Sequence, residues 1–496
     1  MMFWLTALPI ILFSCFNAYS AYYVATTGND NTGNGSAGSP WATIQKALDT
    51  VPDSSTILVG EGTYNGRIRL RGSFTQGVII RAEPLYRARL RNDGPVITTY
   101  DRNVRGITIE GFDIAHSRSG SSALVIHVDG GGTGEVSNLT FRNNILHDSY
   151  NNDILKINNG ARNITVEGNM FYNQAGSDEH IDINSVQWVE VQDNIFFNDF
   201  EGSGRSNNND TSSYIVIKDS NGNDDVYLGS RYISVRRNIF LNWQGSSGSN
   251  FVLVGEDGNP YYEGRDITIE NNLMLGSSRN IMRAPFGIKG GRDITFRNNT
   301  VSGDLPALAF AMRLNREGNN LQNHNIHIYN NIWSDETGTM GATSAIGAHD
   351  FSDTPPGDTT SFFLANNLYF NGGNPIPQDP SELINYTDDP SARIGNPRLR
   401  SPAGLILPGW DEGSNIFVGG YSRIQGAFAG LVNIYCALSS GSPAINRGND
   451  SLAPGEDILK RSRTFGGRSD IGACEYESGT GGSANIVIAP LIFPLL

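Results

Sequence analysis

The chain is poor in the residues that most soluble enzyme chemistries require. Of its 496 residues only 3 are cysteine and 7 histidine, and charged residues make up 17%. No CxxC pair occurs, which removes a dithiol redox centre and a cysteine-rich zinc site. There is no Walker loop, no HExxH and no convincing Ser-His-Asp set, so nucleotide hydrolysis, zinc proteolysis and serine catalysis lack their usual signatures. Positive charge is also short: 36 Lys and Arg face 50 Asp and Glu, a net charge of −14. That balance excludes nucleic acid and acidic membranes as partners of the body. A polyanionic substrate would need a local basic patch or a bound cation. No internal segment is long and apolar enough to span a bilayer, and we expect a monomer.

What is abundant is glycine, at 58 residues, within recurring Asn-, Ser- and Gly-rich segments. Such a composition suits many short strands separated by turns and argues against helical bundles. The opening MMFWLTALPIILFSCFNAYS is apolar, then small and polar, with Ala18-Tyr19-Ser20 an acceptable cleavage site before Ala21. It reads as a signal peptide over 1–20, although it lacks the usual Lys or Arg. LFSC, ending at Cys15, weakly resembles a lipoprotein box that Phe13 fits poorly. We expect a secreted, extracellular or cell-surface protein. Cys436 and Cys474 are then left to form either one disulfide or two buried thiols. The end, 477–496, is a flexible Gly/Ser stretch followed by an apolar tail of unclear function.

A repeat organises the middle of the chain. GITIEGFDI (106–114), NLTFRNNIL (138–146), NITVEGNMF (163–171) and WVEVQDNIF (188–196) share a β-alternating half, a polar pair and an apolar pair. YISVRRNIF, DITIENNLM, DITFRNNTV, NIHIYNNIW and SFFLANNLY continue the series. One position is Asn144, Asn169, Asn194, Asn238, Asn272, Asn299, Asn331 and Asn367, with Phe112 in the first copy. Such units cannot bury an apolar face alone and must stack. An Asn at a fixed turn tolerates left-handed backbone angles, and its amide can bond to the same residue one coil along. Short strands, an Asn ladder and a period near 25 residues, Asn144 to Asn169, describe a parallel β-helix.

On these stretches the sequence resembles the right-handed parallel β-helix superfamily of secreted polysaccharide-active proteins: pectate, alginate and chondroitin lyases and related hydrolases and epimerases. Residues 21–95 resemble the N-terminal cap and first coils, with a short helix over Thr43 to Leu48, and 96–373 the laddered β-helix. Residues 374–476, containing GSPAINRGND and RSDIGACEYE, resemble irregular final coils and a cap. The resemblance implies an all-β solenoid and says much less about activity, since one fold hosts several chemistries.

In such folds the groove lies on the strand before each ladder strand. Those strands are read as ALVIHVD, DILKIN, EHIDIN, SYIVIK, NFVLVG, NIMRAP (280–285) and FAMRLN. Their outward column is then His127, Lys156, Asp182, Val216, Leu253, Arg283 and Arg313, with Asp129, Asn158, Asn184, Lys218, Gly255, Pro285 and Asn315 beside it. The resemblance implies β-elimination on a uronic-acid polysaccharide, with Lys156 as base and His127, Lys218 and Arg283 assisting. Lys156 suits that role only if its pKa is lowered. Asp153, Glu179 and Asp182 offer oxygen ligands for Ca2+. Arg313, His180, Tyr261 and Tyr262 are candidates for binding an acidic polysaccharide.

Each reading has a plainer rival. Lys156 beside Asp182 also fits a structural ion pair, and Tyr261 and Tyr262 also fit loop packing. DSNGNDD (219–225) echoes a calcium loop but has Asp224 where Gly is wanted and lacks the distal Glu. SDEH (177–180) weakly resembles a C5-epimerase motif. An inverting hydrolase using Asp153, Glu179 and Asp182, or a non-catalytic surface scaffold, remains open. So does whether the column lines an open groove or is capped by loop 199–212.

Overall fold

The computed structural model describes residues 20–477, apart from 100–102, 177, 209–210, 223–225, 277–279, 305–306, 339–349 and 464–465. The expected leader with Cys15, the apolar tail, Ser177 of SDEH and Asn223, Asp224 and Asp225 of the calcium-like loop lie outside the described residues.

Each coil places one short strand in each of three parallel sheets. A first-sheet strand such as Ile126–Asp129 leads into a second-sheet strand, Ser137–Arg142, and then a third-sheet strand, Ile145–His147. The first sheet holds 10 strands and the other two hold 12 each. Alternation sends every second side chain inward, so Leu139, Ile164 and Val189 align coil upon coil. The rings of Phe171, Phe196 and Phe240 likewise stack at 4.9 and 5.0 Å. Together these residues make one continuous core. Helix α1 (Ile44–Leu48) starts at Thr43, whose side chain accepts the Lys46 N–H, and turns Ile44, Ala47 and Leu48 into that core. No helix among the described residues is long and apolar enough to cross a membrane.

The asparagine ladder fixes the register. All eight ladder side chains are fully buried. Asn169 Oδ1 accepts the Asn144 backbone N–H at 2.9 Å and its Nδ2–H at 3.1 Å, and the same pair of bonds recurs from Asn169 through Asn331. Each Nδ2 also serves a strand carbonyl, Ile109 in the case of Asn144. Phe112 donates its N–H to Asn144 at the start, and Asp389 accepts from Asn367 at the end. The left-handed backbone expected at the ladder Asn belongs instead to the residue before it. Asn143, Asp193, Arg237, Asn271, Asn298, Asn330 and Asn366 have φ between +50° and +59°, and Gly111 and Gly168 take that place elsewhere. The turn is made one residue early, so the ladder amide faces inward.

The segment 374–476 is irregular, as expected, but its path is not that of a plug at the end of the stack. It returns along the outside of the third sheet. Helix α2 (Ile424–Tyr435) lays Ile424, Ala427, Phe428, Leu431 and Val432 on Ile145, Met170, Ile195, Ile239 and Leu273, the outward apolar positions of that sheet. Glu412 reaches Arg89 at 3.0 Å, while the Ala473 N–H reaches Thr300 at 2.9 Å. Cys436 and Cys474 form a disulfide inside this return segment. The return segment thereby covers much of the third sheet, and the first and second sheets remain.

Breaking one rung of the ladder gives a direct test. Asn238→Ala leaves the Asn194 N–H and Nδ2–H and the Val191 carbonyl without partners. Each unpaired buried group costs about 1–3 kcal/mol, so thermal unfolding should show one of the largest losses available to a single Asn substitution.

Candidate functional site

Register along the first sheet builds one outward column: Arg69, Thr98, His127, Lys156, Asp182, Val216, Leu253, Gly287, Arg313 and Asp353. His127, Lys156 and Asp182 are successive neighbours, as the sequence indicates. Arg283 is not in the column. The apolar alternation of NIMRAP suggests a strand, but Pro285 cannot donate to the ladder, and pairing passes to Phe286–Lys289. Gly287 therefore replaces Arg283, and Lys289 replaces Pro285.

One end of the column is accessible and its middle is covered. Arg69, Thr98, His127 and Lys156 are half-buried, whereas Asp182, Val216 and Leu253 are 1%, 0% and 2% exposed although they point away from the core. Two loops meet at that place. The Ser212 N–H, at the end of loop 199–212, bonds the Asp178 carbonyl at 2.9 Å, and its hydroxyl bonds Glu256 at 3.2 Å. Loop 199–212 thus walls the groove rather than capping Lys156.

Three carboxylates converge beside Lys156. One oxygen each of Asp153, Glu179 and Asp182 lies within 4.8 Å of the others, and none of the three residues is more than 2% exposed. The Glu179 N–H donates to Asp153 Oδ1 at 3.0 Å, while Asp153 Oδ2 and Asp182 Oδ1 have no hydrogen-bond partner. Lys156 Nζ lies 2.5 Å from Asp182 and 3.7 Å from Asp153. Burial, then the charge of Asp182, pushes Asp153 up to about 7. Burial and Asp153 hold Glu179 well above the ordinary carboxylate range. A compact, all-carboxylate set with orphaned oxygens suits a hard divalent cation such as Ca2+.

The same geometry corrects the expectation for Lys156. Burial opposes its charge, but Asp182 and Asp153 outweigh burial, and its pKa is raised rather than lowered. At neutral pH Lys156 is a cation, not a base. Lys218 behaves alike: burial opposes its charge, while Asp182, Glu256, Glu179 and Asp257 raise its pKa. Its ammonium lies 2.5 Å from Glu256 and 3.7 Å from Asp257. His127 is the opposite case. Burial lowers its pKa below 6.5, partly offset by Asp129, and Nε2 meets Asn158 Oδ1 at 3.0 Å. A neutral imidazole therefore stands one coil from a charged lysine.

The remaining candidates divide. Arg283 binds Asp353 at 2.6 Å, and Arg313 lies 3.5 Å from the same carboxylate. Arg313 is five strand steps from Lys156, about 24 Å at 4.8 Å per step, so Arg283 and Arg313 share a separate ion-pair cluster. His180 is wholly buried, stacks on Tyr214 at 4.4 Å and bonds Asn198 at 3.0 Å. Burial holds it down to about 3, and it belongs to the core, not to a substrate surface. Tyr261 donates to the Asp219 carbonyl at 3.0 Å, and Arg292 sits 5.9 Å from the Tyr262 ring; both contacts are loop packing. Asp219 accepts from the Asn221, Gly222 and Gly229 N–H groups and from Ser185. Its carboxylate organises its own loop.

Sequence reasoning overlooked Glu256 and Glu263. Glu263 is fully buried and accepts the N–H groups of Glu256, Asp257 and Asn259 at 2.9, 3.0 and 3.1 Å. That anchor sets Glu256 and Asp257 against Lys218. An acidic pair directly after the strand NFVLVG was the available signal.

Linkage makes the cluster measurable. Folded Asp153 holds its proton up to about pH 7, against the ordinary aspartate value of 3.8, so ionising it subtracts stability as pH rises between those values. Asp153→Asn should raise the melting temperature above about pH 7 and leave it nearly unchanged near pH 4. Added Ca2+ should stabilise the wild type more than Asp153→Asn combined with Asp182→Asn.

No family model and no curated protein matches the sequence. Solved structures do. XylC in complex with xylose aligns at a TM-score of 0.49 and 13% identity, covering 92% of this chain and 98% of its own. The pectate lyase Pel9A aligns at 0.46 and 15%, covering 93% and 98%. A GH136 lacto-N-biosidase from Eubacterium ramulus aligns at 0.51 and 10%, covering 76% and 68%. At these identities the likeness shows the fold alone. With its three parallel sheets and buried ladder, the chain folds as a right-handed parallel β-helix.

Proposed function

We propose that the chain is a secreted polysaccharide lyase that cleaves a uronic-acid polymer by β-elimination. The observation that carries this reading is the pairing of neutral His127 with cationic Lys156 beside three buried carboxylates. In the reaction a proton leaves C5, the C4–O bond breaks, a C4=C5 bond forms, and the leaving oxygen gains a proton from water. His127 is the group able to accept the C5 proton, since its imidazole is unprotonated at neutral pH. Lys156 offers its ammonium to the substrate carboxylate, whose neutralisation makes that proton more acidic. Asp153, Glu179 and Asp182 would hold Ca2+, which when bound supplies further neutralising charge.

The hydrolase reading fits less well. Oxygens of the three carboxylates lie within 4.8 Å of one another, against about 6.5–9.5 Å between the paired carboxyls of inverting enzymes. All three are also buried away from a sugar.

The test is ultraviolet absorbance of the new C=C bond on alginate, polygalacturonate, glucuronan, and chondroitin and dermatan sulfates, with and without Ca2+. His127→Gln and Lys156→Ala should each lower turnover about 10²-fold or more. The wild-type acid limb should lie below pH 6.5, the ordinary histidine value, because activity needs unprotonated His127. Reducing ends without absorbance would indicate a hydrolase, and C5 exchange without cleavage an epimerase. No change on any polymer would leave a non-catalytic scaffold.

A further inference from the structure

We infer that the accessible end of the same column is a subsite for the anionic groups of the polymer, seated on Arg67 and Arg69, so that the substrate lies over the N-terminal coils. This rests on the acidic-polysaccharide reading above and adds where the chain lies and which residues hold it.

Strand Ile68–Leu70 turns Ile68 and Leu70 into the core and leaves Arg69 outward. Arg67 and Arg71, two residues either side, share that outward face. The three arginines line a concavity of about 470 Å³ together with Gln45 and Asn92. Arg69 is three strand steps from Lys156, about 14 Å, through Thr98 and His127. No acidic side chain stands in the column between Arg69 and Lys156. In a protein of net charge −14, three arginines within five residues run against the overall field.

The three do not share one role. Arg71 is tied to Asp49 by bonds of 2.6 and 2.7 Å, which secures α1 to the strand. Gln45 secures the same helix through the Arg69 backbone, at 2.8 and 3.2 Å. Docking the helix thus uses Asp49–Arg71 and the Arg69 main chain, and it does not account for Arg67. Arg67 is exposed and has no ion-pair partner among the described residues. Guanidinium forks match carboxylate and sulfate oxygens two at a time, which fits a polymer bearing one anion per sugar.

Direction follows from what is covered. Beyond Lys156 the outward positions Asp182, Val216 and Leu253 are buried, so a chain cannot continue over them. It can extend the other way, across His127 and Thr98 to Arg69.

The experiment is affinity electrophoresis of the full chain and of Arg67→Gln/Arg69→Gln in gels containing polygalacturonate, alginate or a neutral glucan, with melting temperatures as the folding control. We expect retardation of the wild type by one of the acidic polymers only, weakened at high salt, and about a tenfold loss of affinity in the variant at unchanged melting temperature. Where cleavage occurs, KM for that polymer should rise by the same factor. Equal retardation of a folded variant and wild type, or no retardation of the wild type by either acidic polymer, would overturn the subsite. Retardation lost in the variant, without cleavage by the wild type, would sustain the subsite and refute the lyase.

Discussion

A buried amide that must satisfy itself along one axis governs this protein. Each ladder side chain is sealed from water and finds its acceptor only on the next coil. A slip by one residue would strand its N–H and Nδ2–H groups in the core, at the cost of unpaired buried polar groups. The ladder thus locks the stacking of the second and third sheets. Where a first-sheet strand is joined to the ladder strand by a short turn, as Leu155–Asn158 is to Arg162–Glu167 and Ile181–Asn184 to Gln187–Gln192, its register is set as well. The alignment of Lys156 and Asp182 on adjacent coils is a consequence of that lock.

Electrostatics then gives the column its character. Three carboxylates gathered at low exposure repel one another, and two lysines on neighbouring strands compensate them. Lys156 and Lys218 stay charged because of that compensation, and Asp153 and Glu179 resist ionisation because it is incomplete. A divalent cation would complete it. The return segment contributes by exclusion: by lying on the third sheet, α2 leaves the first and second sheets to meet solvent.

Much of this architecture is legible in the sequence because the ladder imposes a strict local pattern. Nine copies of one motif place the second and third sheets, and period-two alternation places His127, Lys156 and Asp182 on one face. Legibility fails where the pattern is imitated. NIMRAP alternates as a strand does, yet Phe286–Lys289 is the strand that pairs, and Arg283 is misplaced as a result. His180 fails for another reason. Alternation puts it outward with Asp182, but it precedes the strand Ile181–Asn184, and its place among Tyr214 and Phe196 depends on neighbouring coils. The charge state of Lys156 was not readable either, since it turns on distances to two carboxylates. The path of 374–476 depends on long-range docking that no local period records.

The account stands or falls on where an acidic sugar chain binds. A crystal structure of the protein with an oligouronide of the polymer it retains most strongly would settle this. The oligosaccharide is expected on the first sheet, with a carboxylate at Lys156, His127 against the sugar face, and the chain leading to Arg69. Ordered sugar on the second sheet, or at the distant Arg283–Asp353–Arg313 cluster, with the Lys156 column empty, would contradict it.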